Sequence, residues 1–226
     1  MIHQSLVRIL FLSAISLLNC VAQEESVTLQ FLSFPKAIDP KPVELLLAEA
    51  KTLQVEIPSN ELSKTYKVPR QTVWAVGETT TGEDGKPIFK VFGQAPALTA
   101  NKQLILLVRK GENNSDGMTV IPIENDIKNF GGGKFLFMNA AQVDIAGDTG
   151  GVKFVIKPGT HTIVTPKADE DGRNFLAMFY FRKDTEARPF FSSKWPIGDN
   201  ARGLIFFYHD PEGNHLRLHT IRDFVD

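Results

Sequence analysis

The chain has 226 residues, with 25 Lys plus Arg against 26 Asp plus Glu, a net charge of −1 and one cysteine. The charges are mixed along the chain and form no basic run, which excludes the electrostatic footprint of nucleic-acid binding. A single cysteine excludes a disulfide framework within the chain.

The first two dozen residues read as an address rather than as part of a fold. Arg8 and the amino terminus supply a positive start, and Ile9 to Leu18 is a short apolar run. Cys20-Val21-Ala22 and the polar Gln23-Glu24-Glu25-Ser26 follow. That is the layout of a secretory signal, with cleavage expected after Ala22, and it is shorter than the roughly 20 apolar residues of a membrane span. Loss of Arg8 with residues 1–22 moves the net charge to −2. Leu17-Leu18-Asn19-Cys20 resembles a bacterial lipoprotein signal, departing from it at Asn19, so lipidation at Cys20 is the alternative to its loss with the leader. A buried N-terminal helix is the third reading of the same residues. No other stretch is long and apolar enough to span a bilayer.

Beyond the leader the pattern is β throughout. Short runs rich in Val, Ile, Phe and Thr predict strands over 27–34, 43–47, 52–57, 72–77, 87–92, 103–109 and 118–123. A second set covers 134–138, 142–146, 152–158, 161–165, 175–182, 188–192, 203–209 and 215–222. Turn residues separate them: Gly82-Glu83-Asp84-Gly85, Gly147 to Gly151, Lys157-Pro158-Gly159, Asp171-Gly172 and Asp210 to Asn214. Residues 43–51 contain good helix formers, but 143–151, which match them in the second half, read as strand and turn. Strand–turn–strand is therefore expected in both places, with at most one short helix.

The two sets of strands resemble each other. Phe31-Leu32-Ser33-Phe34 matches Phe135-Leu136-Phe137-Met138, and Val43-Glu44-Leu45 matches Val143-Asp144-Ile145. Val55-Glu56-Ile57 matches Phe154-Val155-Ile156, and Val68-Pro69 matches Thr165-Pro166. Pro87-Ile88-Phe89 matches Pro189-Phe190-Phe191, Asn101 matches Asn200, and Leu104 to Leu107 matches Leu204 to Phe207. A repeat of about 100 residues is a domain duplication rather than a solenoid unit. The expected fold is all-β: two tandem, sequence-related immunoglobulin-like β-sandwich domains. The boundaries are 1–22 for the signal, 23–127 for the first sandwich, 128–133 for a Gly-rich linker ending in Gly131-Gly132-Gly133, and 134–226 for the second sandwich. Whether the two share one core or hang as separate beads on the glycines stays open at this point. The layout of signal, paired repeats and a Lys157-Pro158-Gly159 turn before His161-Thr162-Ile163-Val164 is similar to that of exported bacterial proteins of unknown function with duplicated β-sandwich domains. That resemblance implies architecture and no activity.

Few residues carry chemistry. Asp210 to Asn214 is a strong turn and would set His209 and His215 across a hairpin from each other, a candidate zinc or copper site with Asp210 or Glu212. The plainer reading is an outer polar face of His215, Arg217 and His219 opposite an inner Leu216 and Leu218. The stretch from Phe207 to Leu218 also resembles a strand–turn–strand motif of the glyoxalase and extradiol-dioxygenase superfamily, but Arg217 stands where those proteins place a metal-binding Glu. A tight turn explains the same letters. Asp169-Glu170-Asp171-Gly172 reads as an acidic hairpin tip rather than a calcium loop. No nucleophile elbow, phosphate loop or dinucleotide fingerprint occurs, so no catalytic residue and no cofactor is assigned. Trp74, Trp195 and Tyr208 are candidates to stack on a sugar, with Trp195 the possible ligand-binding residue. The Phe-rich strands of the second half (Phe175, Phe179, Phe181, Phe190, Phe191, Phe206 and Phe207) read as core, with an exposed aromatic face as the alternative. The expected function is an exported, non-catalytic module that binds a protein or an envelope polysaccharide. The alternatives are a metal protein or enzyme at the His209/His215 hairpin and a carbohydrate-binding module.

Overall fold

A computed structural model describes residues 25–36, 43–48, 51–109, 117–183, 186–210 and 215–225. The leader, Cys20 and the turn at 211–214 lie outside the described residues. The first half holds β1 (Ser26–Phe34), β2 (Val43–Leu46), β3 (Thr52–Val55), β4 (Tyr66–Pro69), β5 (Val73–Thr81), β6 (Pro87–Pro96), β7 (Lys102–Arg109) and β8 (Met118–Glu124). A one-turn helix, α1 (Ile127–Phe130), leads to the second half. There follow β9 (Phe135–Asn139), β10 (Ile145–Thr149), β11 (Val152–Ile156), β12 (His161–Val164), β13 (Asn174–Lys183), β14 (Glu186–Pro196), β15 (Ala201–His209) and β16 (Leu216–Phe224). No described helix is long and apolar enough to cross a membrane.

Four four-stranded sheets result, and the two halves are wired identically. The first half has sheets β4-β1-β7-β8 and β3-β2-β5-β6; the second has β12-β9-β15-β16 and β11-β10-β13-β14. In each half one pair is parallel, β1 with β7 and β9 with β15, and the other pairings are antiparallel. Each half also carries a bulge on the same strand pair, after Val76 on β5 and after Phe179 on β13.

The sheets stack in four layers. Val27, Leu29, Phe31, Ile105 and Leu107 point from the β1/β7 sheet into a core shared with Val43, Leu45, Trp74 and Val76. Phe135, Phe137, Ile205 and Phe207 do the same toward Ile145, Phe175 and Phe179 in the second half. The opposite faces of these two inner sheets meet each other. Leu32, Leu104, Leu106 and Ile123 from the first half join Met138, Leu204, Phe206 and Ile221 from the second in one buried cluster. The two halves therefore share a continuous core, which decides the open question between one core and two beads. It also explains why Leu104 to Leu107 and Leu204 to Phe207 are unbroken apolar runs: a strand covered on both faces has no polar alternation to show.

The segment expected as a linker is packed. Asp126 caps α1 by accepting from the Asn129 N–H at 2.7 Å. Phe130 is fully buried in the central cluster. A Cβ on Gly132 would lie 1.7 Å from the Asp199 carbonyl oxygen, so only glycine lets the chain pass there.

Fifteen of the sixteen strands lie where the sequence pattern put them, within a few residues at their ends; β4 was absent from the pattern-based set. Val43–Leu46 and Thr52–Val55 are paired strands, with the Leu47 N–H donating to the Lys51 carbonyl oxygen between them. The short helix falls instead at Ile127–Phe130. The β10 strand starts at Ile145 rather than Gln142, because buried Asn139 holds the preceding chain in a bend. Its amide donates to the carbonyls of Val143 (2.8 Å) and Ile156 (2.9 Å) and accepts from the Ala141 N–H. Ser33 does the equivalent work in the first half, its single hydroxyl proton donating to the Lys36 carbonyl (2.8 Å), with the Pro58 carbonyl at 3.2 Å. Gly147 and Asp148 belong to β10, and the turn is Gly150-Gly151 alone, both with positive φ (68° and 95°). Strand pairing also shifts several matches between the halves, and the first of them shows how. Phe31 lies opposite Ile105 and Phe137 opposite Ile205, so Phe31 corresponds to Phe137, two residues beyond Phe135. A slip of two keeps the same face, so the residue pattern cannot detect it.

Candidate functional site

The site is clearest from the same place in each half, the end of the sandwich where β6 runs into β7 and β14 runs into β15. In the first half this end is sealed. Trp74 on β5 stands opposite Ala95 on β6 and is fully buried. Its indole Nε1–H donates to Gln103 Oε1 at 2.8 Å. Gln103, also fully buried, accepts a second bond from the Leu98 N–H (3.2 Å). Its Nε2 donates to the carbonyls of Leu98 (2.9 Å) and Ala100 (2.8 Å). All four of its amide positions are used, and the side chain plugs the end of the core. Outside it, Arg70 donates to the Leu98 carbonyl at 3.2 Å and pairs with Glu25 at 3.0 Å.

In the second half the same positions are differently filled. Phe175 stands opposite Trp195, where the first half has Trp74 opposite Ala95. The Ile197 N–H bonds the Arg173 carbonyl as the Ala97 N–H bonds that of Thr72, which fixes the correspondence. The position of Gln103 is taken by Gly203: Gln103 pairs with Glu124 across β7/β8, and Gly203 with Arg222 across β15/β16. No side chain stands at the Gln103 position of this core. A Cβ on Gly203 would lie 2.4 Å from the Phe135 ring, which rests on the glycine instead. What remains is a cleft of about 280 Å³ between the edge strands β14 and β16. Phe135, Trp195, Pro196, Gly198 and Gly203 form its bed, and Ala201, Arg202, Thr220, Ile221 and Arg222 complete it.

The aromatic bed is rigid. Trp195 stacks on Phe135 (centroids 6.3 Å apart, 26° between planes) and meets Phe175 edge-on at 5.9 Å. Phe179 and Phe191 close on it at 5.6 Å each. The indole is half-buried, and among the described residues its N–H has no acceptor, unlike that of Trp74. One indole face lies over Phe135, so the ring offers an apolar wall more than an open sugar platform.

The two arginines differ. Arg202 is buried and committed: Nε meets Asp223 Oδ2 at 2.8 Å, Nη1 donates to the Phe130 carbonyl at 2.6 Å, and the guanidinium lies 4.4 Å from the Phe130 ring centroid. It is structural, tying the cleft to α1 and the central core. Arg222 is exposed at the mouth, its guanidinium 5.3 Å from the Phe224 ring, and among the described residues it has no acidic partner. Among the described residues no carboxylate lines the cleft, and Arg222 puts a positive charge at its mouth.

The other sequence candidates are placed as follows. Trp74 is fully buried and presents no stacking face, and Tyr208, half-buried, packs edge-on against Phe34 at 5.4 Å in the cluster between the halves. Phe175, Phe179, Phe206 and Phe207 are fully buried, while Phe181, Phe190 and Phe191 pack at the edge of the core. His209 does not stand across from His215. It pairs with Leu216, and the Asp210 N–H bonds the His215 carbonyl at 2.9 Å, so strand alternation turns the two imidazoles to opposite faces. Among the described residues no group of three or more His, Cys, Asp or Glu side chains is placed to hold a metal ion. Arg217 pairs with Asp210 at 2.7 Å. His219 is not on an outer face: its ring lies against Phe34 and Phe206 between the halves, with Nε2 buried and unbonded. Asp169 forms a hairpin tip, accepting from Gly172 through its carbonyl and pairing with Lys194 at 2.7 Å. That lysine, by hydrogen bonding, holds the Asp169 carboxyl below the usual carboxylate range.

Trp195 is thus the one sequence-predicted residue that lines the cleft; Phe135, Arg202, Gly203 and Arg222 were not singled out. The signal for them was the repeat, because Gln103 and Gly203 directly precede the matched runs Leu104 to Leu107 and Leu204 to Phe207. No protein-family model and no curated protein matches this chain.

Proposed function

We propose that the chain is an exported, non-catalytic binding module of the cell envelope or extracellular space. Its two units, 23–127 and 134–226, are related immunoglobulin-like sandwiches of which the second takes a ligand at Trp195. One observation carries the reading: a position plugged by the fully bonded Gln103 in the first half is Gly203 in the second, and the space is an open, aromatic-walled cleft. A compact apolar cavity with a few polar groups at its mouth is the usual form of a small-ligand site. The missing side chain leaves apolar surface that a ligand can cover at roughly 25 cal/mol per Å².

The test is a thermal-shift screen of a chemically mixed set of small molecules on the wild type and on Trp195→Ala. Hits are expected to raise the melting temperature of the wild type and to leave the variant unmoved. Hits that stabilise both proteins equally would remove the cleft from the reading. The export part is checked separately: N-terminal sequencing of protein recovered from the producing cell should begin at Gln23, and an intact Met1 start would defeat it.

A further inference from the structure

We propose that the cleft binds a compact organic monoanion, a single ring carrying a carboxylate, with the ring between Trp195 and Thr220 and the carboxylate on Arg222. The inference rests on the reading of the cleft as a ligand site and goes on to its chemistry.

Three replacements at matched positions point the same way. Ala95 becomes Trp195, which supplies an aromatic wall. Gln103 becomes Gly203, which removes the plug. Glu124, opposite Gln103, becomes Arg222, opposite Gly203, which reverses the charge at the mouth. A cleft needed only for an apolar group would have no use for the third change.

Arg222 is held for this role. Thr220, Arg222 and Phe224 alternate along β16 and so share one face. Phe224 is 67% exposed, an unfavourable place for a phenyl ring, and its ring lies under the Arg222 guanidinium at 5.3 Å. That stacking fixes the fork beside the cleft and leaves its N–H groups free for a ligand. Arg202 does not compete, because Asp223 and the Phe130 carbonyl engage it. One free guanidinium suits one carboxylate, which it can take with two parallel bonds. The volume of about 280 Å³ lies at the lower limit of ligand pockets and admits one ring rather than an extended chain.

The experiment is isothermal titration of the full chain with phenylacetate, its neutral isostere phenylacetamide, and acetate, repeated with Arg222→Gln, Trp195→Ala and Thr220→Trp. The last variant fills the mouth from an exposed position and keeps the test valid if Trp195→Ala folds poorly. Phenylacetate is expected to bind about tenfold more tightly than phenylacetamide, as a charge-assisted pair would give, and acetate not at all. Arg222→Gln should erase the tenfold preference, phenylacetate falling to the affinity of phenylacetamide. Thr220→Trp should abolish binding of both ring compounds. Equal binding of acid and amide, lost in Thr220→Trp, would overturn the anion proposal and leave the cleft standing. Binding that survives both Trp195→Ala and Thr220→Trp would overturn the cleft as well. Failure of phenylacetate to bind the wild type would overturn the monoanion proposal.

Discussion

The two halves of this chain have the same strands in the same order, the same parallel pair and a bulge on the same hairpin, yet they finish differently at one end. The first closes on itself. Trp74 lies deep, Gln103 satisfies it and the neighbouring backbone, and Arg70 fastens the rim. The second leaves the end open, with Trp195 at the edge and Gly203 where the plug would stand. Architecture is thus shared, and the difference at this end rests on three positions, those of Trp195, Gly203 and Arg222. The aromatic-rich half is the open one: its rings stack into a stiff wall that holds a cleft without collapsing into it.

This contrast can be broken by mutation. The largest effect is expected from Trp74→Ala, which empties a fully buried site and removes one of the two donors to Gln103 Oε1; it should cost about 4 kcal/mol or more in urea unfolding. Trp195→Ala, at a half-buried position, should cost less than half as much, and equal losses would show that the two ends are alike after all. Next comes Asp223→Asn, which leaves the Arg202 charge without its partner. A loss of roughly 2–3 kcal/mol is expected, since the carboxylate is partly open to water. Gln103→Gly should cost about 2 kcal/mol in broken hydrogen bonds. It should also make Trp74 fluorescence quenchable by acrylamide, giving the first half a cleft of its own; unchanged quenching would mean that the plug is not what seals that end.

The smallest effect concerns the Asp169–Lys194 pair, whose Asp169 sits on a loop longer than its counterpart, the short Arg70–Thr72 turn of the first half, and whose Lys194 is on β14. The Asp169 carboxyl is held below its ordinary value of 3.8, chiefly by the hydrogen bond from Lys194. Its contribution to stability is therefore present above that value and is lost as the pH falls through the lowered one. Asp169→Asn should unfold slightly more easily than wild type at pH 7 and identically at pH 2. A gap that persists in acid would assign the effect to something other than this ion pair.

Much of the fold was readable because strand alternation and turn residues are local signals. Gly82-Glu83-Asp84-Gly85 closes the β5/β6 hairpin as expected, with Gly85 at φ 75°. β4 escaped because Tyr66-Lys67-Val68-Pro69 is short and ends in proline. The four-layer stack was not stated in advance, although the uninterrupted Leu104 to Leu107 run already implied cover on both faces. Of the site, Trp195 was legible as a residue type that binds. Gly203 was not, because a missing side chain has meaning only beside the half that retains it. Arg222 was hidden for a similar reason: its importance comes from standing opposite Gly203 in a strand pairing that no local pattern specifies.

The burial of both inner sheets on two sides has a consequence for how water reaches the backbone. Where β1 meets β7 and β9 meets β15, the amides lie beneath a layer of protein above and another below. A local breath of one loop does not uncover them; a whole layer must lift away. Deuterium should therefore enter these two parallel ribbons last and at matched rates, and the slowest-exchanging amides of each half should lie at the middle of the molecule, one set facing the other.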